Sequence, residues 1–178
     1  MNVTRFLSLA VFCTAALAAV AQTRSPLPAP PDRAAVKRMF DPWRAPVPPR
    51  HLIANINYVG AIGVSSFLIT TPEGHILIDT GFDDTVPLIQ RSVEQLGFKL
   101  TDIKFILSSH AHIDHVGGHA LMKKLTGARV VASAVDARAL ESGGEDDYIQ
   151  WPKDAIDYSA TLAMSALEVA IKITEQIR

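Results

Sequence analysis

The chain has 178 residues, 48% of them apolar and 20% charged, with a formal net charge of -1. That length suits one domain, and that balance belongs to a globular chain and not a disordered one. No basic block stands out, so nothing points to a nucleic-acid partner.

The N-terminus reads as a separate unit. Arg5 supplies a positive charge, Phe6 to Val20 is almost wholly apolar or small, and Ala19-Val20-Ala21 fits a small-x-small cleavage pattern. Residues 1–21 are therefore expected to be a secretory signal peptide cut before Gln22. The apolar run is short for a bilayer span, so no stable membrane anchor is expected, and the mature chain is placed in the periplasm or outside the cell. Cys13, the only cysteine, leaves with that segment. The mature chain then has neither disulfide nor thiolate, and any metal site must be built from His, Asp and Glu.

Residues 22–50 are rich in Pro, Arg and Ala. Proline resists the interiors of helices and strands, so this segment is expected to be an extended arm draped over the domain. From residue 51 the pattern turns to β. Leu52 to Val59 alternates as one strand, Ser65 to Thr70 as another, and Thr71-Pro72-Glu73-Gly74 is a turn signal before the buried strand His75 to Asp79. Asp83 or Asp84 is the candidate cap of a helix whose apolar residues run from Val86 to Leu96 and stop at Gly97. Ile103 to Leu107 is a short apolar strand. Val116 to Leu125 follows as a helix ended by Gly127, then Ala128 to Ala132 as a strand and Val135 to Leu140 as a helix ended by Gly143-Gly144. A meander followed by alternating strands and helices predicts an α/β layered domain. Residues 154–178 hold no glycine or proline, which favours helix, yet Leu167, Val169, Ile171 and Ile173 alternate like a strand. That choice stays open.

Ile103 to Leu107 leads straight into Ser108-Ser109-His110-Ala111-His112-Ile113-Asp114-His115-Val116-Gly117-Gly118-His119. His110 and His112 lie two apart, so in extended backbone both imidazoles point the same way and can reach one metal. Asp114 and His115 follow at the turn into a helix and can reach a neighbouring position about 3.5–4 Å away, the spacing of a two-metal site. Imidazole nitrogen and carboxylate oxygen without thiolate suit zinc among other divalent ions. Gly117-Gly118 lets the chain turn without Cβ clashes. His119 is expected to be a partly exposed helix residue and not a ligand, His75 and His51 to be structural, and Asp146-Asp147 to be solvated.

His110-Ala111-His112-Ile113-Asp114-His115 resembles the signature of the metallo-β-lactamase superfamily. Asn57-Tyr58-Val59-Gly60, the run Ser65 to Gly81, Leu96-Gly97-Phe98, Leu121 to Ala132 and Glu141-Ser142-Gly143-Gly144 extend the likeness over roughly residues 50–150. They are most similar to the secreted β-lactamases that bind both zincs without cysteine. The resemblance implies an αββα sandwich, of which residues 51–152 form the N-terminal half. It also implies two zinc ions, His110 and His112 binding the first and Asp114 and His115 the second. A metal-bound hydroxide, oriented by Asp114, would then open a β-lactam ring, with Asp79 supporting the metal loop from behind the ligands. The expected partner is a small β-lactam substrate, and the expected state is a monomer.

The resembled enzymes complete each zinc position with one further histidine downstream, the first within a Gly-His-Thr-type motif. No histidine follows His119 here. The motif likeness also fades after Trp151-Pro152, leaving 153–178 as a divergent tail. The expectation is a C-terminally truncated chain with little activity of its own, its sheet face and edge uncovered. Two alternatives stand beside the β-lactamase: another zinc hydrolase of the superfamily, such as a lactonase or thioester hydrolase, and a non-catalytic fragment.

Overall fold

In the computed structural model, residues 33–145 and 163–165 are described. The expected signal peptide, the first part of the arm, Asp146-Asp147 and the alternating residues 167–173 lie outside them. Among the described residues no helix is long and apolar enough to cross a membrane.

The second part of the arm is helical, contrary to the extended segment expected. Arg33–Phe40 forms α1, and Asp41–Arg44 continues it as a 3-10 turn. The prolines explain the boundary: none interrupts Arg33 to Phe40, and Pro42 sits where the first turn of a helix tolerates its missing N–H. Beyond it the chain does lie on the domain, since Ile62 and Gly63 donate backbone hydrogen bonds to the carbonyls of Ala45 and Trp43.

One sheet of seven strands carries the domain, in chain order from β1 to β7. The expected strand from Leu52 to Val59 is instead a hairpin of β1 (Arg50–Ile53) and β2 (Ile56–Tyr58), turning at Ala54 with φ +49°. β3 (Phe67–Ile69) and β4 (His75–Ile78) complete an antiparallel meander. From there the sheet is parallel: β5 (Ile103–Leu107), β6 (Arg129–Ala132) and β7 (Ala163–Ser165). Of the tail, residues 163–165 are described and form strand β7; the helix-or-strand choice for the rest of it falls outside the described residues.

Parallel neighbours need crossovers, and helices supply them. α2 (Val86–Gln95) joins β4 to β5, and α5 (Ala134–Ser142) follows β6. Between β5 and β6 the expected single helix is two pieces, α3 (Ile113–Val116) and α4 (His119–Thr126). The break falls at Gly117-Gly118. Neither glycine has positive φ; what they supply is room. A Cβ on Gly118 would stand 2.5 Å from Val86 Cγ2 and 2.8 Å from the Thr80 carbonyl oxygen. The caps also differ from expectation. Asp83 accepts from the Asp84 N–H instead of capping α2, while Ser133 caps α5 by accepting from the Asp136 N–H.

The core follows from register. Leu68, Leu77, Ile106 and Val130 are successive cross-strand partners, so they form one buried row. They pack in one cluster with Val86, Ile89 and Val93 of α2 and Met122 of α4. Each such side chain contributes about 2 kcal/mol by leaving water. The pleat sends Phe67, Ile69, Ile76, Ile78, Phe105 and Leu107 to the other face, where they are half-buried.

Candidate metal centre

The loop after β5 lies where parallel strands end in an open α/β sheet, the usual place for a site. Ser108 N–H still donates to the Val131 carbonyl at 2.9 Å, extending the ladder by one residue before the chain leaves the sheet. All four candidate ligands, His110, His112, Asp114 and His115, are half-buried there. The His110 and His112 rings meet edge to face, with centroids 4.5 Å apart. His110 also faces His115, at 4.0 Å between centroids. The Asp114 carboxylate stands 3.5 Å from His115 Nε2. The structure thus gathers the four into one cluster. Among the described residues, however, no three His, Cys, Asp or Glu side chains form a group that could hold a metal ion by itself.

Asp79 fixes this cluster from beneath. It sits at the end of β4, buried, with φ +55°, a backbone region that aspartate tolerates better than most residues. Its N–H completes the strand by donating to Leu107. Its Oδ1 accepts from the Ser109 N–H at 2.8 Å, and its Oδ2 from the Ser109 hydroxyl at 2.6 Å and from His115 Nδ1 at 2.8 Å. Burial works to raise the Asp79 pKa, but the bonds from His115 and Ser109 outweigh it and hold the carboxyl below its usual range. On His115 burial works downward, and the Asp79 carboxylate reverses it, leaving the imidazole pKa raised. His110 has no such partner: burial, then the neighbouring His115 and His112, push its pKa down.

Three groups that sequence reasoning missed also brace the loop. Asp136, in the first turn of α5, accepts from the Ala111 N–H at 3.2 Å, between His110 and His112. Ser109 joins Asp79 to the loop. His119, expected to be partly exposed, is fully buried. One of its ring nitrogens, Nδ1, is 2.8 Å from Thr80 Oγ1, and the other, Nε2, is 2.7 Å from Ser108 Oγ. The helix break at Gly117-Gly118 is the reason: it restarts the helix with residue 119 facing the sheet. His75 is structural as expected, buried edge-on against Phe98, and His51 lies on the exposed edge strand β1.

The donor chemistry suits a borderline divalent ion, with imidazole nitrogens and carboxylate oxygen in reach and no sulfur. His115 has the stance of a ligating imidazole, one nitrogen pinned to a carboxylate and the other left beside Asp114.

The pattern of the metallo-β-lactamase superfamily matches residues 59–170, running on past Trp151-Pro152, where the motif likeness fades. Solved structures agree. A Cronobacter sakazakii metallo-β-lactamase is 43% identical, over 72% of this chain and 49% of its own, with a TM-score of 0.68. The FEZ-1 metallo-β-lactamase of Legionella gormanii is 36% identical, over 68% of this chain and 46% of its own, with a TM-score of 0.66. BJP-1 of Bradyrhizobium japonicum, a subclass B3 metallo-β-lactamase, is 39% identical, over 71% of this chain and 47% of its own, with a TM-score of 0.63. A curated metal-dependent hydrolase of Anaeromyxobacter sp. strain K is 33% identical over 92 residues, 52% of this chain and 30% of that protein. The chain therefore spans about half the length of these solved structures and about a third of the curated relative. With the match covering most of its length, the fold agreeing and the H-x-H-x-D-H loop at the strand ends, this chain belongs to the metallo-β-lactamase superfamily.

Proposed function

We propose that this chain carries the first half of a dinuclear zinc hydrolase site directed at β-lactams. His110 and His112 hold one ion, and Asp114 and His115 hold the other. The observation that carries this reading is His115, whose Nδ1 is bonded to buried Asp79 while its Nε2 stands beside Asp114 and its ring faces His110. Bound divalent ions supply Lewis acidity and bring the pKa of a water towards 7. Asp114, at the rim beside His115 Nε2, would help hold the second ion and orient the attacking water. Asp79 and Ser109 keep the loop from rotating, so the ligands stay aimed.

The β-lactam reading draws on the names of the solved structures and on residues 1–21, whose export pattern would deliver the protein to where such compounds arrive. A second reading is a hydrolase of another small cyclic ester or thioester. It is favoured by the curated relatives, which are described only as metal-dependent hydrolases. The loop cannot separate the two, since it builds the metal site and not the substrate pocket.

Two measurements test the proposal. Calorimetric zinc titration of the mature chain should show saturable binding that His110→Ala and Asp114→Ala weaken; heat that neither variant changes would remove the metal assignment. The second compares residues 22–152, fused to the second half of the Legionella enzyme, on a chromogenic cephalosporin, a lactone and a thioester. Zinc-dependent cephalosporin cleavage is expected from the fusion and little from the chain as it stands. Preference for the lactone or thioester would establish the second reading.

A further inference from the structure

We propose that His119 is a positioning residue for the metal loop: its ring clamps the end of β5 to the end of β4 and, through Thr80, holds the backbone of His115. The importance of this clamp for metal binding rests on the function proposed above; the clamp itself does not.

The argument begins with what a histidine in that place can do. Burial pushes its pKa down to about 4, so the ring is neutral near pH 7, with one N–H donor and one bare acceptor nitrogen. Its two partners are both hydroxyls, which can give or take. The Thr80 hydroxyl also lies 3.5 Å from the carbonyl oxygen of His115, to which it can only donate. Both ring nitrogens are thus satisfied, one hydroxyl accepting from the N–H and the other donating to the bare nitrogen. These contacts link Ser108, His119, Thr80 and the His115 carbonyl in one chain. The same carbonyl accepts the Thr80 N–H at 2.9 Å, so the backbone of a candidate ligand is held twice by one residue.

Position gives the clamp its leverage. Thr80 directly follows Asp79, and Ser108 directly precedes Ser109, the two residues that bond each other across the strand ends. A ring fixing the distance between Thr80 and Ser108 therefore fixes the distance over which Asp79 meets Ser109. His119 touches none of the four candidate ligands through its side-chain hydrogen bonds, so its influence on them is indirect.

The test uses the full chain. His119→Phe fills similar space without either bond, and His119→Gln keeps one donor and one acceptor. In metal-free protein, amide exchange at Ser109, whose N–H is held by Asp79, is compared with exchange at Leu77 and Ile106 in the core. The expected result is at least tenfold faster exchange at Ser109 in His119→Phe, with a smaller change at the core amides and partial recovery in His119→Gln. Cobalt(II), used as the spectroscopic probe, should bind about tenfold more weakly to His119→Phe. Ser109 exchange that is unchanged, or that accelerates only in step with the core amides, would overturn the proposal. If His119→Phe fails to fold, Ser108→Ala combined with Thr80→Val cuts the same clamp with the ring in place, and the same Ser109 criterion decides. A wild-type chain that binds no cobalt would sink the metal reading, while the exchange arm would still decide for or against the clamp.

Discussion

The loop between β5 and α4 has a rim and a floor, and they are built differently. The rim is His110, His112, Asp114 and His115: within six residues of one another, half-buried, with the His110 ring against those of His112 and His115 and Asp114 beside His115. The floor is Asp79, Thr80 and His119, buried, bonded to Ser108 and Ser109. Its residues come from the end of β4 and the start of α4. The rim displays groups that can take up a metal, and the floor spends its hydrogen bonds on holding backbone. Substitutions in the floor should therefore cost stability first, and those in the rim should cost binding first.

The largest expected effect tests the floor through pH. His119 has a folded-state pKa of about 4 against an ordinary value of 6.5. A depressed pKa means that the unfolded chain takes up the proton first. The stability from keeping this ring neutral is thus full above pH 6.5 and is lost as pH falls towards 4. A shift of that size corresponds to about 3 kcal/mol. Urea unfolding at pH 7 and pH 4.5 should show wild type losing more stability than His119→Gln by an amount approaching that figure. Equal losses in the two proteins would mean that the ring is not held neutral by its surroundings.

Asp79→Asn comes next. The amide keeps an acceptor for the Ser109 N–H and its NH2 can donate to the Ser109 hydroxyl, but the same NH2 faces the His115 Nδ1–H, setting donor against donor there. The expected cost is about 2 kcal/mol in denaturant unfolding, with zinc affinity falling roughly ten- to a hundredfold. An unchanged unfolding midpoint would place Asp79 with the rim. Gly118→Ala probes the floor by space alone: its methyl meets Val86 and the Thr80 carbonyl, and overpacking of this kind costs about 1–2 kcal/mol. A melting temperature equal to wild type would show that α4 can move away from β4 freely.

The rim was legible in the sequence because its signal is local. Four metal-capable residues at fixed spacing after an apolar strand need no fold to be noticed, and strands β3 to β6 were legible for the same reason, as short apolar runs between turn signals. The floor was not. His119 lies in a helix-like stretch whose phase is reset by Gly117-Gly118, so its burial could not be read from periodicity. Thr80, Ser108 and Ser109 become partners of His119 and Asp79 only because β4 pairs parallel with β5. Asp136 reaches Ala111 across the next crossover. The arm was misread because prolines at its ends masked eight residues of good helix formers, and the tail was left open because composition and alternation disagreed there.

The smallest expected effect on stability tests the rim. His110 is half-buried, burial and its histidine neighbours disfavour its charged form, and among the described residues its side-chain hydrogen-bond contact is with Ser109, which Asp79 already holds. Removing the ring leaves the Ser109 N–H and hydroxyl tied to Asp79 and the Ala111 N–H tied to Asp136. His110→Ala should therefore change unfolding free energy by no more than about 0.5 kcal/mol, the usual range for a side chain outside the core. Zinc affinity, measured by titration on the same sample, should drop by far more than this stability change. A loss of stability as large as that of Asp79→Asn would erase the distinction between rim and floor. The histidine would then be a structural member of the loop, and the H-x-H spacing would reflect packing more than ligation.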